Sequence, residues 1–315
     1  MWLNILIAMG LDFIIGDPPN WPHPVRFIGW VISHMEKWIR KSVKNLKVGG
    51  VLLSFCTLVI VLTPILILRM VAHPTFYRLF EIYILYACLA SKCLAKEAMH
   101  VKRKLETGKI HDARKALSFL VGRDTTDLDE GEVTRGVIET VSENTIDGVL
   151  APLFYMFLGL PFGLAMPFAV VYKTINTLDS MVGYTHVHFK DIGCFSAKLD
   201  DVVNYIPARL GSVLMILSGG LMGYDMNQGF KVFFRDRKNH KSPNSGHPEA
   251  AVAGLLNIQL GGTNSYFGKR MFKPTLGDAN TAKAHKHIKD TVNILFVSEV
   301  MMFMVFTILF RGGRL

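Results

Sequence analysis

Apolar residues along this chain gather into long runs instead of alternating with polar ones. The strongest run extends from Gly49 to Leu68, twenty residues without a charge, flanked by Lys47 and Arg69. At about 1.5 Å per residue it predicts a helix as long as a bilayer core is thick. Gly148 to Tyr172 is also uncharged, but Pro152, Pro161 and Pro167 are expected to interrupt it. Thr291 to Phe310 is apolar apart from Glu299 and ends at Arg311. Val202 to Tyr224 carries Arg209 and a Ser218-Gly219-Gly220 stretch that reads as a break. Leu79 to Ala95 is weaker, with Glu81 and Lys92 near its ends. Met1 to Gly16 lacks a basic leader and contains Asp12, so it reads as a short retained helix and not a cleaved signal. The polar stretches have helical periods too, with no sustained strand-type alternation and no internal repeat. The pattern predicts an all-α, polytopic integral membrane helical protein with large helical cytoplasmic connections. It reads as a single membrane-embedded domain over 1–315, with apolar segments at about 1–16, 49–68, 79–95, 148–172, 202–224 and 291–310.

Composition sharpens this. Half the chain is hydrophobic, mean hydropathy is +0.30 and 19% of residues are charged, below the roughly 25% of soluble domains. Disorder, a fibrous repeat and a nucleic-acid-binding tail are excluded. The balance of 35 basic against 25 acidic residues gives a net charge of +10, which alone suits nucleic acid, a membrane surface or anionic small molecules. The apolar runs make the lipid bilayer the simpler partner, and no nucleic acid is expected. Residues 17–48 hold six basic side chains, Arg26, Lys37, Arg40, Lys41, Lys44 and Lys47, and residues 225–290 hold eleven basic and five acidic. Both stretches read as cytoplasmic by the positive-inside rule. Residues 173–201 lie between two apolar runs. A re-entrant arrangement of either run puts every polar connection on the cytoplasmic side of the cell membrane, and this multi-pass arrangement is preferred. The four cysteines, Cys56, Cys88, Cys93 and Cys194, have no metal spacing and read as packing thiols.

Several clusters carry candidate chemistry. Residues 123–147 hold eight acidic groups against Arg123 and Arg135. Within them Val133, Val137 and Val141 form one stripe, and Glu139, Glu143 and Asp147 another. Like charges at a spacing of four repel, so a cation is expected, and Mg²⁺ is usually held by one or two carboxylates plus substrate phosphates. The plain alternative is a solvated acidic face. Lys173, Asn176 and Asp179 recur every three residues just beyond an apolar run. Lys suits a phosphate and Asn and Asp a metal, against an interfacial helix with a snorkelling Lys. Asp200, Asp201 and Asn204 precede Pro207 and Arg209, and Arg209 must face an interior, a cavity or a partner because lipid would penalise it. The turn Ser242-Pro243-Asn244-Ser245-Gly246-His247-Pro248-Glu249 runs into Ala250, and a helix start there offers N–H groups to an anion. No P-loop pattern occurs. Gly16-Asp17-Pro18-Pro19 and His23-Pro24-Val25-Arg26 form a Pro-dense connector. His186-x-His188 and His285-x-His287 lack partners at ligand spacing.

Taken together and in order, these segments resemble the adenosylcobinamide-phosphate synthase family of cobalamin biosynthesis (CbiB, also called CobD). The resemblance covers nearly the whole chain. It runs from Leu11-Asp12, Gly16-Asp17-Pro18, His23-Pro24-Val25-Arg26 and Gly29 through Gly122-Arg123-Asp124, Glu139-Thr140-Val141-Ser142-Glu143-Asn144 and Asp147-Gly148. It continues through Tyr172 to Met181, Gly183-Tyr184, Asp200-Asp201, Asn204 to Arg209, Ser242 to Glu249 and Leu260-Gly261-Gly262. No departure is evident at the central motifs.

The resemblance implies an integral membrane ligase. It would join the free propionate of adenosylcobyric acid, a corrinoid, to aminopropanol, its O-phosphate or the ethanolamine analogue as an amide, with ATP and Mg²⁺. On that reading Glu143, Asp147 and Asp179 hold the metal and Lys173 and Arg209 meet phosphate oxygens. Asn144, Asn176, Asn244, Ser245, His247 and Glu249 line the substrate or phosphate site. Asp201 or Glu139 serves as general base. A non-catalytic membrane sensor of the AmpE-like type and a transporter are the alternative classes, since broken apolar runs are also a transporter feature.

Overall fold

The computed structural model describes residues 2–18, 21–184, 188–266 and 268–311; Pro19 and His186 lie outside them. Helices make up 73% of the described residues. In order they are α1 (Trp2–Ile15), α2 (Pro24–Ser42), α3 (Leu46–Val71), α4 (Pro74–Cys88), α5 (Ser91–Glu106), α6 (Ile110–Leu117) and α7 (Glu130–Thr145). The last runs through a π-helical turn (Ile146–Leu150) into α8 (Ala151–Gly159). Next come α9 (Ala165–Val182), α10 (Cys194–Val203), α11 (Tyr205–Leu221), α12 (Met226–Asp236) and α13 (Gly246–Leu255). A hairpin of β1 (Leu260–Tyr266) and β2 (Lys269–Leu276) precedes α14 (Lys286–Arg311).

Local chemistry sets many of these boundaries. Pro24 and Pro74 open α2 and α4, where a missing N–H costs nothing, behind His23 and His73, which accept from Val25 and Thr75 N–H. Asp129 and Glu132 make a reciprocal capping box at the start of α7. His287 Nδ1 accepts from Ala284 N–H at 3.1 Å, which helps to start α14.

Among the described residues, three helices are long and apolar enough to cross a membrane: Leu46–Val71, Glu130–Phe162 and Lys286–Phe310. A fourth span arises if α10 and α11, bent by 46°, are counted as one. The fold is an all-α polytopic membrane protein carrying one small hairpin.

Several expected breaks move. Pro152 stays inside α8, directly after the π-helical turn, which takes up the disturbed bonding. Pro161 sits in a 3₁₀ turn and Pro167 in the first turn of α9. The chain reverses at Gly163, whose φ of 66° a side chain would resist. The Ser218-Gly219-Gly220 stretch remains helical, because Gly219 and Gly220 pack tightly on Leu255 and Met226.

The chain divides into two compact units. The first comprises Met1–Ala90, Ala151–Asn204 and Phe306–Leu315. There α1 meets α4 through Asn4, which donates to Glu81 at 2.6 Å and accepts from Arg78 at 3.1 Å. Ser54 of α3 meets Ser196 of α10 at 3.1 Å, and the rings of Tyr155 and Tyr172 stack at 5.1 Å.

The second unit comprises Ser91–Leu150 and Tyr205–Val305. Its axis is α7, whose Val133, Val137 and Val141 stripe is fully buried. Ser91 of α5 donates to the buried Glu299 of α14 at 2.6 Å. The antiparallel hairpin corrects the expectation that no segment is extended. Leu260 pairs with Leu276 and Gly262 with Lys273, across an irregularity between Leu260 and Gly262.

Candidate functional site

In the second unit, two arginines and a glutamate tie the hairpin to α7. Glu139 Oε2 accepts from Arg123 Nη1 at 2.8 Å, its Oε1 accepts from Gly261 N–H at 2.9 Å, and Arg135 Nε lies 3.8 Å away. Arg135 also donates to the carbonyls of Gly261 and Thr263 and, like Arg123, to Asn264 Oδ1. Gly261 and Gly262 take φ of 77° and 91°, and at Gly262 a side chain would meet the Arg135 guanidinium. Asp124 N–H donates to Ser265 O at 2.9 Å, and its carboxylate accepts from Ser265 Oγ and Gly268 N–H. Gly122-Arg123-Asp124, Glu139 and Leu260-Gly261-Gly262 thus form one docking element. Glu139 has both oxygens engaged, which argues against a general-base role for it.

Beyond this element the same helix opens. From Val133 to Leu150 only Glu143, Asn144 and Asp147 are half-exposed. Ser245 Oγ donates to Glu143 Oε1 at 2.6 Å. The π-helical turn falls between Glu143 and the chain after Asp147, so the carboxylate stripe does not continue at plain α-helical register. Arg209 donates to Asn244 Oδ1 at 3.2 Å and to Tyr205 O at 2.7 Å, with its guanidinium 3.4 Å above the Tyr205 ring. The Ser242-to-Glu249 turn therefore touches a carboxylate on one side and an arginine on the other. Ser242 Oγ holds the turn by accepting from Asn244 and Ser245 N–H.

Burial makes the charges here consequential. Glu249 is 2% exposed, and burial, followed by the negative charges of Glu139 and Glu143, pushes its carboxyl well above the usual range. His240 Nε2 lies 3.9 Å from Glu249. Burial works against the charge of Lys273, but Glu249, Tyr266, Glu139 and Glu143 outweigh it and hold the ammonium above its ordinary value. Burial, with Arg209 and Arg237 nearby, lowers His247 to about 4, so this imidazole is neutral at physiological pH.

The first unit has its own polar face. Between Tyr172 and Asp179 of α9 only Lys173, Asn176 and Asp179 are half-exposed. Asn176 donates to Asp200 Oδ1 at 3.3 Å, Asn204 donates to Asp200 Oδ2 at 3.0 Å, and Tyr172 OH donates to Asn204 Oδ1 at 2.9 Å. Asp200, not the half-buried Asp201 singled out from sequence, anchors this network. Asp17 and His23 meet at 3.3 Å in the N-terminal connector. Among the described residues, no three His, Cys, Asp or Glu side chains gather as a metal cluster.

Residues 5–295 match the family model for the CobD/Cbib protein. The chain belongs to the CobD/CbiB family. It is 44% identical over 306 residues to the cobalamin biosynthesis protein CobD of Citrobacter koseri, covering 95% of this chain and 94% of that one. To CobD of Clostridium tetani it is 45% identical over 311 residues, 97% and 96% of the two chains. To CbiB of Salmonella paratyphi B it is 42% identical over 306 residues, 95% and 94%. No solved structure matches.

The CobD/CbiB motifs divide between the two units. Glu139, Glu143, Asn144, Asp147, Arg209, Asn244, Ser245, His247 and Glu249 belong to the second, and Lys173, Asn176, Asp179 and Asp201 to the first. Sequence reasoning passed over Lys273, His240 and Asn264. Each stands in a segment without a motif of its own, and only the hairpin and the turn before α13 bring them to the acidic cluster.

Proposed function

We propose that this CobD/CbiB-family chain acts in cobalamin biosynthesis as a membrane-embedded ligase. It joins the free propionate of adenosylcobyric acid to aminopropanol, its O-phosphate or the ethanolamine analogue, with ATP as co-substrate. Family membership supports the pathway. The chemistry rests on one observation: a single turn, Ser242 to Glu249, buried from Asn244 onward, is held between Glu143 and Arg209, and a metal-bound phosphate needs partners of both signs.

The donors suit Mg²⁺. Glu143, Ser245 and Asn244 are hard oxygen ligands, and burial, followed by the negative charges of Glu139 and Glu143, raises the Glu249 carboxyl, a cost that a nearby cation lowers. Glu143 would hold the ion, with Asp147 as the further carboxylate and substrate phosphate oxygens completing the shell, since the expected set of Glu143, Asp147 and Asp179 does not gather as a cluster among the described residues. When bound, Mg²⁺ supplies charge neutralisation on the phosphates.

The remaining work belongs to side chains. In the second unit Arg209 binds phosphate oxygens, and Asn144 and the neutral His247 orient polar substrate groups; in the first unit Lys173 binds a phosphate and Asn176 a polar substrate group. A carboxylate is a poor acyl electrophile. Its oxygen therefore attacks the terminal phosphorus of ATP, releasing ADP and leaving an acyl phosphate. The amine attacks that carbonyl, the C–N bond forms, phosphate leaves, and Asp201 takes the amine proton. Purified protein given ATP, Mg²⁺, adenosylcobyric acid and the amino alcohol should yield the amide by mass spectrometry, and absence of product with both amine forms would refute the ligase. Carboxylate ¹⁸O should appear in the released phosphate; unlabelled phosphate would exclude the acyl-phosphate route.

A further inference from the structure

The hairpin of α2 and α3 concentrates positive charge beside an apolar groove, and the ligase chemistry uses neither. Lys37, Lys41, Lys44 and Lys47 are all exposed. None of the four side chains has an ion pair or hydrogen bond among the described residues. Glu36 is the sole acid between Pro18 and Phe80 in the sequence, and Arg40 already binds it. Four uncompensated ammonium groups therefore face outward.

Just beyond them, Met35, Trp38, Phe55, Cys56, Val59 and Ile60 line an apolar groove of about 320 Å³ between the same two helices. Its walls are open: Trp38 is 54% exposed and Phe55 64%. Gly49 packs on Ile39, which lays α2 and α3 side by side with the lysines at the turn. At 1.5 Å per residue Phe55 lies about 12 Å, and Ile60 about 20 Å, along α3 from Lys47. A cationic end and an apolar slot thus follow one another along a helix of membrane-spanning length.

We propose that this hairpin binds one anionic phospholipid, with its phosphate among Lys41, Lys44 and Lys47 and an acyl chain in the groove beside Trp38. Charge and shape each narrow the occupant. A neutral lipid leaves four cations unmatched, and a free phosphate leaves the groove empty. An indole at the cationic end of an apolar slot is the usual placement of Trp at a membrane interface, and basic side chains at that depth select anionic headgroups.

The test uses Trp38 as reporter, in a full-length chain carrying Trp2→Phe, Trp21→Phe and Trp30→Phe, reconstituted in phosphatidylcholine vesicles. Brominated phosphatidylglycerol should quench Trp38 at lower mole fraction than brominated phosphatidylcholine does. Raising salt from about 0.1 to 1 M shortens screening from about 10 to 3 Å and should shrink that preference. Replacing all four lysines by Gln should lower the relative association constant at least about fivefold, while the protein still elutes as a monodisperse peak. Excess inorganic phosphate, at matched ionic strength, should leave quenching in place. Equal quenching by the two lipids would mean an ordinary lipid annulus and overturn the proposal. Preference retained in the four-lysine variant would also overturn it, as would loss of lipid to inorganic phosphate.

Discussion

Replacing Glu139 by Gln should loosen the β-hairpin, because this carboxylate stands between two buried guanidinium groups. Arg123 and Arg135 are 8% and 6% exposed, and Glu139 meets them at 2.8 and 3.8 Å. Gln keeps an acceptor for Gly261 N–H but leaves both cations without their anion. Removing one member of a buried ion pair costs about 3–5 kcal/mol. Even about 3 kcal/mol raises the local opening equilibrium of the hairpin about a hundredfold. Hydrogen exchange of residues 260–276 in the detergent-solubilised protein measures this directly, with Asp124 N–H, bonded to Ser265 O, as a second reporter. Arg123→Met should loosen the same amides, and the double variant should lose less than the two single losses added, since both remove one interaction. Unchanged hairpin protection in Glu139→Gln together with abolished amide formation would refute the docking role and restore Glu139 as a base.

Other outcomes follow from the same geometry. Glu143→Gln should abolish amide formation with partial recovery at high Mg²⁺, because Ser245 keeps an acceptor while the metal loses a charge; insensitivity to Mg²⁺ would remove Glu143 from the metal. Lys173→Ala should cut turnover without changing Mg²⁺ dependence, and Lys173→Arg should restore it only partly, since a planar fork cannot replace a compact ammonium. His247 takes a proton near pH 6.5 when unfolded and near pH 4 when folded, so stability is full above about pH 6.5 and falls as pH drops towards 4. The melting midpoint should track that fall, and His247→Gln should flatten it. Cysteines placed at Ser118, Ser180 and Lys241, all exposed, should label only from the cytoplasmic face; external labelling of any one would refute the shared-side topology.

Two of the membrane-length helices, α3 and α14, were the legible part of this chain. The run from Gly49 to Leu68 falls inside α3, because twenty uncharged residues have one stable form in lipid. The Val133, Val137 and Val141 stripe was readable for a related reason, since helical spacing and burial carry the same information. The hairpin was not readable. Gly261 and Gly262 break any alternation, and its pairing rests on Arg135, Glu139 and Asp124, which are distant in sequence. Glu139 and Glu143 look alike as carboxylates four apart. Only the fold separates them, by setting two arginines against one and a serine against the other. Asp147 was placed by a period of 3.6 that the π-helical turn does not keep. Asp200 and Asp201 are adjacent acids, and which one joined Asn176 depended on how α10 packs on α9.

The interleaving of the two units has consequences for how the protein is made and altered. Residues 1–90 leave the ribosome before residues 91–150, which belong to the other unit, and only then do residues 151–204 arrive. At about 5–20 residues per second the early helices wait roughly 3–12 s for their partners. During that interval the buried faces of α2 and α3 lack α9 and α10. No single cut isolates either unit, so a truncated gene yields two incomplete cores. A chimera with a relative must exchange 91–150 and 205–305 together, and exchanging one segment alone should fail at the membrane before any chemistry is assayed.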